Sequence, residues 1–132
     1  MPHAPRRQRQ IDRTRLDILE AAAHVFARGG FRATTMQRVA REAGYTAAAL
    51  YTYFPSKDSI FWGLVDLVDS ELLATFHLSL PSGLTFLQRF EMLAQHQLEL
   101  ADRRRDAFAV FFAMQSGEDA ILFCDCGYAA NV

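Results

Sequence analysis

The side chains in this sequence whose type and spacing could do chemistry lie between Thr35 and Lys57. That chemistry is anion binding and base reading, not bond-making. Thr35 and Thr46 each stand where a hydroxyl can cap a helix, leaving first-turn N–H groups that attract phosphate. Ala47 and Ala48 follow Thr46, and small residues there let a helix lie close to base edges, although alanines are also good helix formers. Lys57 comes directly after Ser56, a third capping residue, beside N–H groups that already favour an anion. Lys57 reads as unpaired, and an unpaired lysine in a first turn is otherwise disfavoured by the helix dipole, so its placement makes sense if a phosphate arrives. Elsewhere there is no phosphate-cradling glycine loop, no nucleophile elbow and no His/carboxylate metal cluster.

Two short helices must position these groups. Met36, Val39, Ala40 and Ala43 recur at three- and four-residue spacing, which puts them on one apolar helix face. Gly44 follows where a helix ends in a left-handed residue, so the chain turns there. Thr46 then caps a second helix, and Tyr45 is placed for a hydrophobic staple to Leu50. In that helix Leu50 and Phe54 belong inside, whereas Thr46, Ala47, Ala48, Tyr51 and Thr52 face outward. Thr35 caps the preceding helix, although Thr34 with Gln37 also has capping-box spacing. The pattern predicts a helix-turn-helix over 35–54, its first helix crossing the nucleic-acid backbone and its second entering a groove.

An ordered set of residues around this pair is similar to the DNA-binding domain of TetR/AcrR-type transcriptional regulators, over roughly Asp12 to Leu73. The matching residues are Ile18-Leu19, Ala22, Val25-Phe26, Gly30-Phe31, Thr34-Thr35, Val39-Ala40, Ala43-Gly44, Leu50-Tyr51, Tyr53-Phe54 and Ser56-Lys57-Asp58. The resemblance implies an all-α fold: a three-helix head on a long connecting helix, followed by further helices. It also implies a homodimer that reads a palindromic operator and releases it when a small molecule binds, most often as a repressor. By the same resemblance Gln37 reaches a base, Arg38 shares its turn, Tyr51 and Tyr53 bond phosphates, and Lys57 adds a charge contact. Ala47-Ala48-Ala49 departs from the family, where a hydrogen-bonding residue is common. Base reading would then rest on thymine methyls, on Gln37 and on DNA shape.

Composition bounds the reading independently. A chain of 132 residues with 51% apolar content is long enough for one domain with a real core. The net charge of −1 hides an asymmetry, because residues 1–60 carry +5 and residues 61–132 carry −6. The basic half holds the motif, as suits a head that meets phosphates. No apolar run approaches the ~18 residues of a membrane span, and the N-terminal arginines lead into an amphipathic pattern instead of a signal peptide, so the cytoplasm is the expected location. No cofactor, metal or enzymatic activity is implied.

Along the chain, residues 1–11 read as a flexible basic arm, either following a minor groove or simply solvated. A first helix is expected from Asp12 or Thr14 to Gly29-Gly30, with Thr14 and Asp17 approximating a capping box. His24 on it reads as a packing or surface residue. The DNA-binding domain spans 12–73. One long helix should run from Lys57 to about Ser79, with Ile60, Leu64, Val68, Leu72 and Phe76 spaced by four. Residues 74–115 read as a partial regulatory or dimerisation domain, with helices near Leu84–Ala101 (Leu87, Phe90, Leu93, Ala94 and Leu98 inward) and Asp106–Met114. Phe86, Phe90, Phe108, Phe111 and Phe112 either line a ligand pocket or belong to ordinary core or an uncovered face. Residues 116–132 form an atypical tail, with a β-like run Ala120–Phe123 and a Cys124-x-Cys126 pair. This tail resembles a short stretch of the catalytic domain of bacterial prolyl-tRNA synthetases. It raises the alternative of a truncated or fused remnant.

Overall fold

The computed structural model describes residues 5–116. Its secondary structure is all helical: α1 Arg6–Gly29, α2 Met36–Ala43, α3 Ala47–Tyr53, α4 Lys57–Phe76, α5 Phe86–Arg103 and α6 Arg105–Ser116. The first three helices and the N-terminal half of α4 enclose one apolar core. Ile18, Ala22 and Phe26 of α1, Val39 and Ala40 of α2, Leu50 and Phe54 around α3, and Ile60 and Leu64 of α4 are all buried in it. Burying each large side chain contributes about 1.5–3 kcal/mol, so this cluster holds the head together. Phe31 bridges Phe26 and Phe61 edge to face, with ring centroids 5.1 and 5.8 Å apart.

Two boundaries differ from the expectation by three residues or more. Helix α1 starts at Arg6, so residues 6–11 are helical and not part of a flexible arm. Its apolar spacing extends N-terminally through half-buried Ile11 and buried Thr14, and Pro5, which cannot continue a helix backwards, supplies the start. Thr14 is therefore an interior residue and no cap. Helix α4 ends at Phe76, earlier than Ser79.

The distal helices divide. Helix α6 packs Ala107, Val110 and Met114 into the main core. Helix α5 does not bring Leu87, Phe90 and Leu98 inward: they are 70%, 62% and 72% exposed, and Leu100 is its one buried residue. Periodicity identifies an apolar face but says nothing of whether an element covers it. The five phenylalanines divide in the same way. Phe86 and Phe90 lie on the exposed face of α5, whereas Phe108 stacks on Phe112, which meets Phe111 edge to face. The segment 117–132, with its synthetase-like residues and both cysteines, lies outside the described residues.

Head and distal helices are tied by ion pairs. Arg104 at the α5–α6 junction donates to both carboxylate oxygens of Glu71 on α4, at 3.0 and 2.8 Å, and to Glu20 on α1 at 2.7 Å. Bidentate guanidinium–carboxylate pairing is the strong form of such contacts. It holds the Glu71 carboxyl below its ordinary value and raises Arg104 further. Asp106 of α6 also lies 3.4 Å from His24 Nδ1 and 3.5 Å from Arg28 on α1, and Glu42 of α2 lies 3.7 Å from His24 Nε2.

Candidate nucleic-acid interface

The turn between α2 and α3 is built as the sequence predicts. Gly44 adopts φ 78° and ψ 24°, Tyr45 N–H donates to the Ala40 carbonyl at 2.9 Å, and Gly44 N–H donates to that of Arg41 at 3.2 Å. This paired closure is the Schellman pattern, and glycine enters it without the penalty that a Cβ would bring. Thr46 Oγ1 then accepts from Ala49 N–H at 3.1 Å and opens α3. Tyr45 is half-buried against the core that contains Leu50, as a staple requires.

At the start of α2 the choice between two threonines is resolved by burial. Thr35 is exposed and its Oγ1 accepts from Arg38 N–H at 3.2 Å, so it is the cap. Thr34 is buried and donates its hydroxyl to the Gly30 carbonyl at 2.7 Å, closing the α1–α2 loop.

The nine residues singled out from the sequence fall into three groups. Thr35, Gln37, Arg38, Thr46, Ala48 and Tyr51 are exposed on the side of the helix-turn-helix opposite Met36, Val39, Ala40 and Leu50, while Ala47 and Tyr53 are half-buried at its margin. Lys57 stands apart. The expectation of an unpaired lysine is corrected: its Nζ donates to the carbonyls of Phe31 at 2.7 Å, Arg32 at 3.2 Å and Thr34 at 3.1 Å. It also lies 4.5 Å from the centroid of the Phe31 ring. Ser56 does cap α4, in a reciprocal capping box with Ser59.

The sequence offered residues 1–11 as an arm that could follow DNA, but not the helix that carries residues 6–11 nor the groove it forms with α3. Arg6, Arg7, Gln10, Ile11 and Arg15 line one side of a groove of about 830 Å³ whose other side is Thr52 and Tyr53 of α3. Arg15 spans it, donating to the Tyr53 carbonyl at 3.0 Å and lying 4.4 Å from the centroid of the Phe54 ring. The arginines were visible as charge, but no local signal tells that a helix carries them alongside residues about forty to fifty positions away.

The arrangement is that of a helix-turn-helix protein: a small, glycine-hinged helix pair with a buried inner face and an outer face of hydroxyls, amides and cations. Residues 18–62 match the model of bacterial regulatory proteins of the tetR family, and this part of the chain is a tetR-type N-terminal helix-turn-helix domain. Among relatives, the nucleoid occlusion factor SlmA of Vibrio vulnificus is 35% identical over 91 residues, covering 67% of this chain and 46% of its own. That of Aliivibrio fischeri is 30% identical over 102 residues, covering 77% and 49%. The chain thus spans about half the length of these relatives. A crystal structure of a protein from Shewanella sp. PV-4, described as a tetR family transcription regulator, is 28% identical with a TM-score of 0.64, covering 80% of this chain and 56% of its own. A TetR-family transcriptional regulator from Haemophilus influenzae RD shares the fold with a TM-score of 0.69 at 19% identity, covering 96% and 74%.

Proposed function

We propose that this chain is a DNA-binding transcriptional regulator and not an enzyme, acting in the cytoplasm on double-stranded DNA. The observation that carries the reading is the outward face of the helix-turn-helix. Thr35, Gln37, Arg38, Thr46, Ala48 and Tyr51 are exposed together on an element whose opposite face is sealed in the core. Helix α3 enters the major groove with Ala47 and Ala48 against base edges, where methyl groups meet thymine methyls. Gln37 offers the two hydrogen bonds that match adenine. Thr35, Arg38, Tyr51 and Tyr53 hold the backbone, and Arg6 and Arg7 flank them.

The tetR-type domain and the relatives' description as nucleoid occlusion factors support this reading. Repression, a palindromic operator read by a homodimer and a small-molecule effector are its finer parts, and they rest on the family likeness alone. Two-fold reading would set two heads about one helical turn, ~34 Å, apart on the duplex. The alternative of a remnant with a synthetase-like tail has no observation in its favour among the described residues.

A salt titration of binding to the duplex upstream of the protein's own gene, with a scrambled duplex alongside and the protein's mass measured in the same buffer, tests the proposal. The expected result is affinity that falls linearly in log–log form with salt and is higher for the upstream duplex. Absence of binding at about 50 mM salt, where phosphate contacts are far stronger than at physiological salt, contradicts it.

A further inference from the structure

We infer that Lys57 is a positioning residue of the DNA-facing surface: its ammonium clamps the α1–α2 loop to the start of α4 and so fixes the first turn of α2. The inference rests on the DNA-binding reading for its consequence, but not for the clamp itself. An ammonium has three hydrogens and no acceptor. All three are accounted for inside the protein, by the carbonyls of Phe31, Arg32 and Thr34. In this arrangement none is left to donate to a phosphate.

The loop it gathers also has closures of its own, among them Thr34 N–H to the Phe31 carbonyl at 3.3 Å. It leaves α1 through Gly30 at φ 81°, and the Thr34 hydroxyl closes back on the Gly30 carbonyl. Phe31 is anchored between Phe26 and Phe61 and also lies beneath the lysine, so the cation engages both the ring and the carbonyl of one residue. Thr34, whose carbonyl is the third ligand, directly precedes Thr35, the cap of α2. One lysine side chain therefore sets the N-termini of α2 and α4 next to each other, and Gln37 and Arg38 take their places from that registration. The same three carbonyls explain why a cation stands in the first turn of α4, where the helix dipole disfavours it: they supply the negative ends of dipoles that the helix lacks there.

The test compares the full chain with Lys57→Met, which keeps the length and removes every donor, and Lys57→Gln, which keeps two donors and no charge. Exchange of the Thr34, Arg38 and Val39 amides should be about tenfold faster in Lys57→Met, as loss of one charged hydrogen bond's worth of local stability would give, and partly restored in Lys57→Gln. Binding to the upstream duplex should weaken by about tenfold in Lys57→Met with the wild-type salt slope, and recover in Lys57→Gln. Unchanged exchange overturns the clamp whether or not the protein binds DNA. A salt slope shallower by about one unit in both variants, with no recovery in Lys57→Gln, overturns it in favour of a direct phosphate contact. Should Lys57→Met fail to fold, Lys57→Gln decides by its salt slope: the wild-type slope supports the clamp, and a slope shallower by about one unit overturns it. Wild-type protein without salt-dependent binding defeats the DNA reading and leaves the exchange result to judge the clamp.

Discussion

Arg15 on α1 donates a hydrogen bond to the main-chain oxygen of Tyr53, 38 residues later, at the last turn of α3. A cation at a helix C-terminus satisfies an otherwise unpaired carbonyl and complements the dipole, and here the guanidinium also lies 4.4 Å from the centroid of the Phe54 ring. The contact ties α3 to the longest helix of the head. Because Arg15 is exposed, Arg15→Ala should cost only about 1 kcal/mol of stability, read as a lower denaturant midpoint with unchanged slope. It should also weaken duplex binding. Full retention of both properties would show that the contact holds nothing.

The turn itself offers a sharper test. Gly44 lies at φ 78°, and a side chain there pays for the left-handed conformation. Gly44→Ala should lose about 1–2 kcal/mol, and Gly44→Asn less, in equilibrium denaturation. An alanine variant as stable as wild type would mean that the turn tolerates another geometry.

Acid should loosen the attachment of α5 and α6 to the head. Arg104, bonded first to Glu71 and then to Glu20, holds the Glu71 carboxyl below its ordinary value. A depressed folded value contributes stability that is fully present above the unfolded value of ~4.3 and is lost as pH falls through the folded one. Glu71→Gln should therefore be less stable than wild type by about 1–3 kcal/mol near pH 7. The gap should narrow below about pH 4, as the wild-type carboxyl protonates. A gap independent of pH, followed by thermal melting across pH 3–7, would place the ionic contribution elsewhere.

The basic N-terminal turns of α1 face the groove beside Thr52 and Tyr53. Replacing Arg6 and Arg7 together by alanine should weaken binding to every duplex alike and flatten the salt slope by about 1–2 units. Helix content should not change, since both residues are exposed. Loss confined to one duplex sequence would assign these arginines to base reading instead.

The head was largely legible in the sequence because its signals are local. Gly44 needs φ > 0, Thr35, Thr46 and Ser56 cap the helices that follow them, and the spacing of Met36, Val39 and Ala40 marks the buried side. Three features were not legible, each for a physical reason. Arg6–Ile11 lack a cap signal and read as an arm, yet they extend a helix already nucleated by the core-facing stripe from Thr14 to Phe26. Lys57 looked unpaired because its three acceptors are main-chain carbonyls 23 to 26 residues away, which no pattern of side chains reports. The outward apolar face of α5 has the same periodicity as an inward one, so Phe90 and Leu98 could be placed on a stripe but not against a neighbour.

Mapping backbone amide shifts by NMR while the upstream duplex is added addresses the outer face of the helix-turn-helix directly. The account predicts saturable changes concentrated at Thr35–Arg38, Thr46–Ala48 and Tyr51–Tyr53, with Phe86–Leu98 of α5 unmoved. Changes centred on α5, or none at the helix-turn-helix under conditions where the protein is folded, would contradict it.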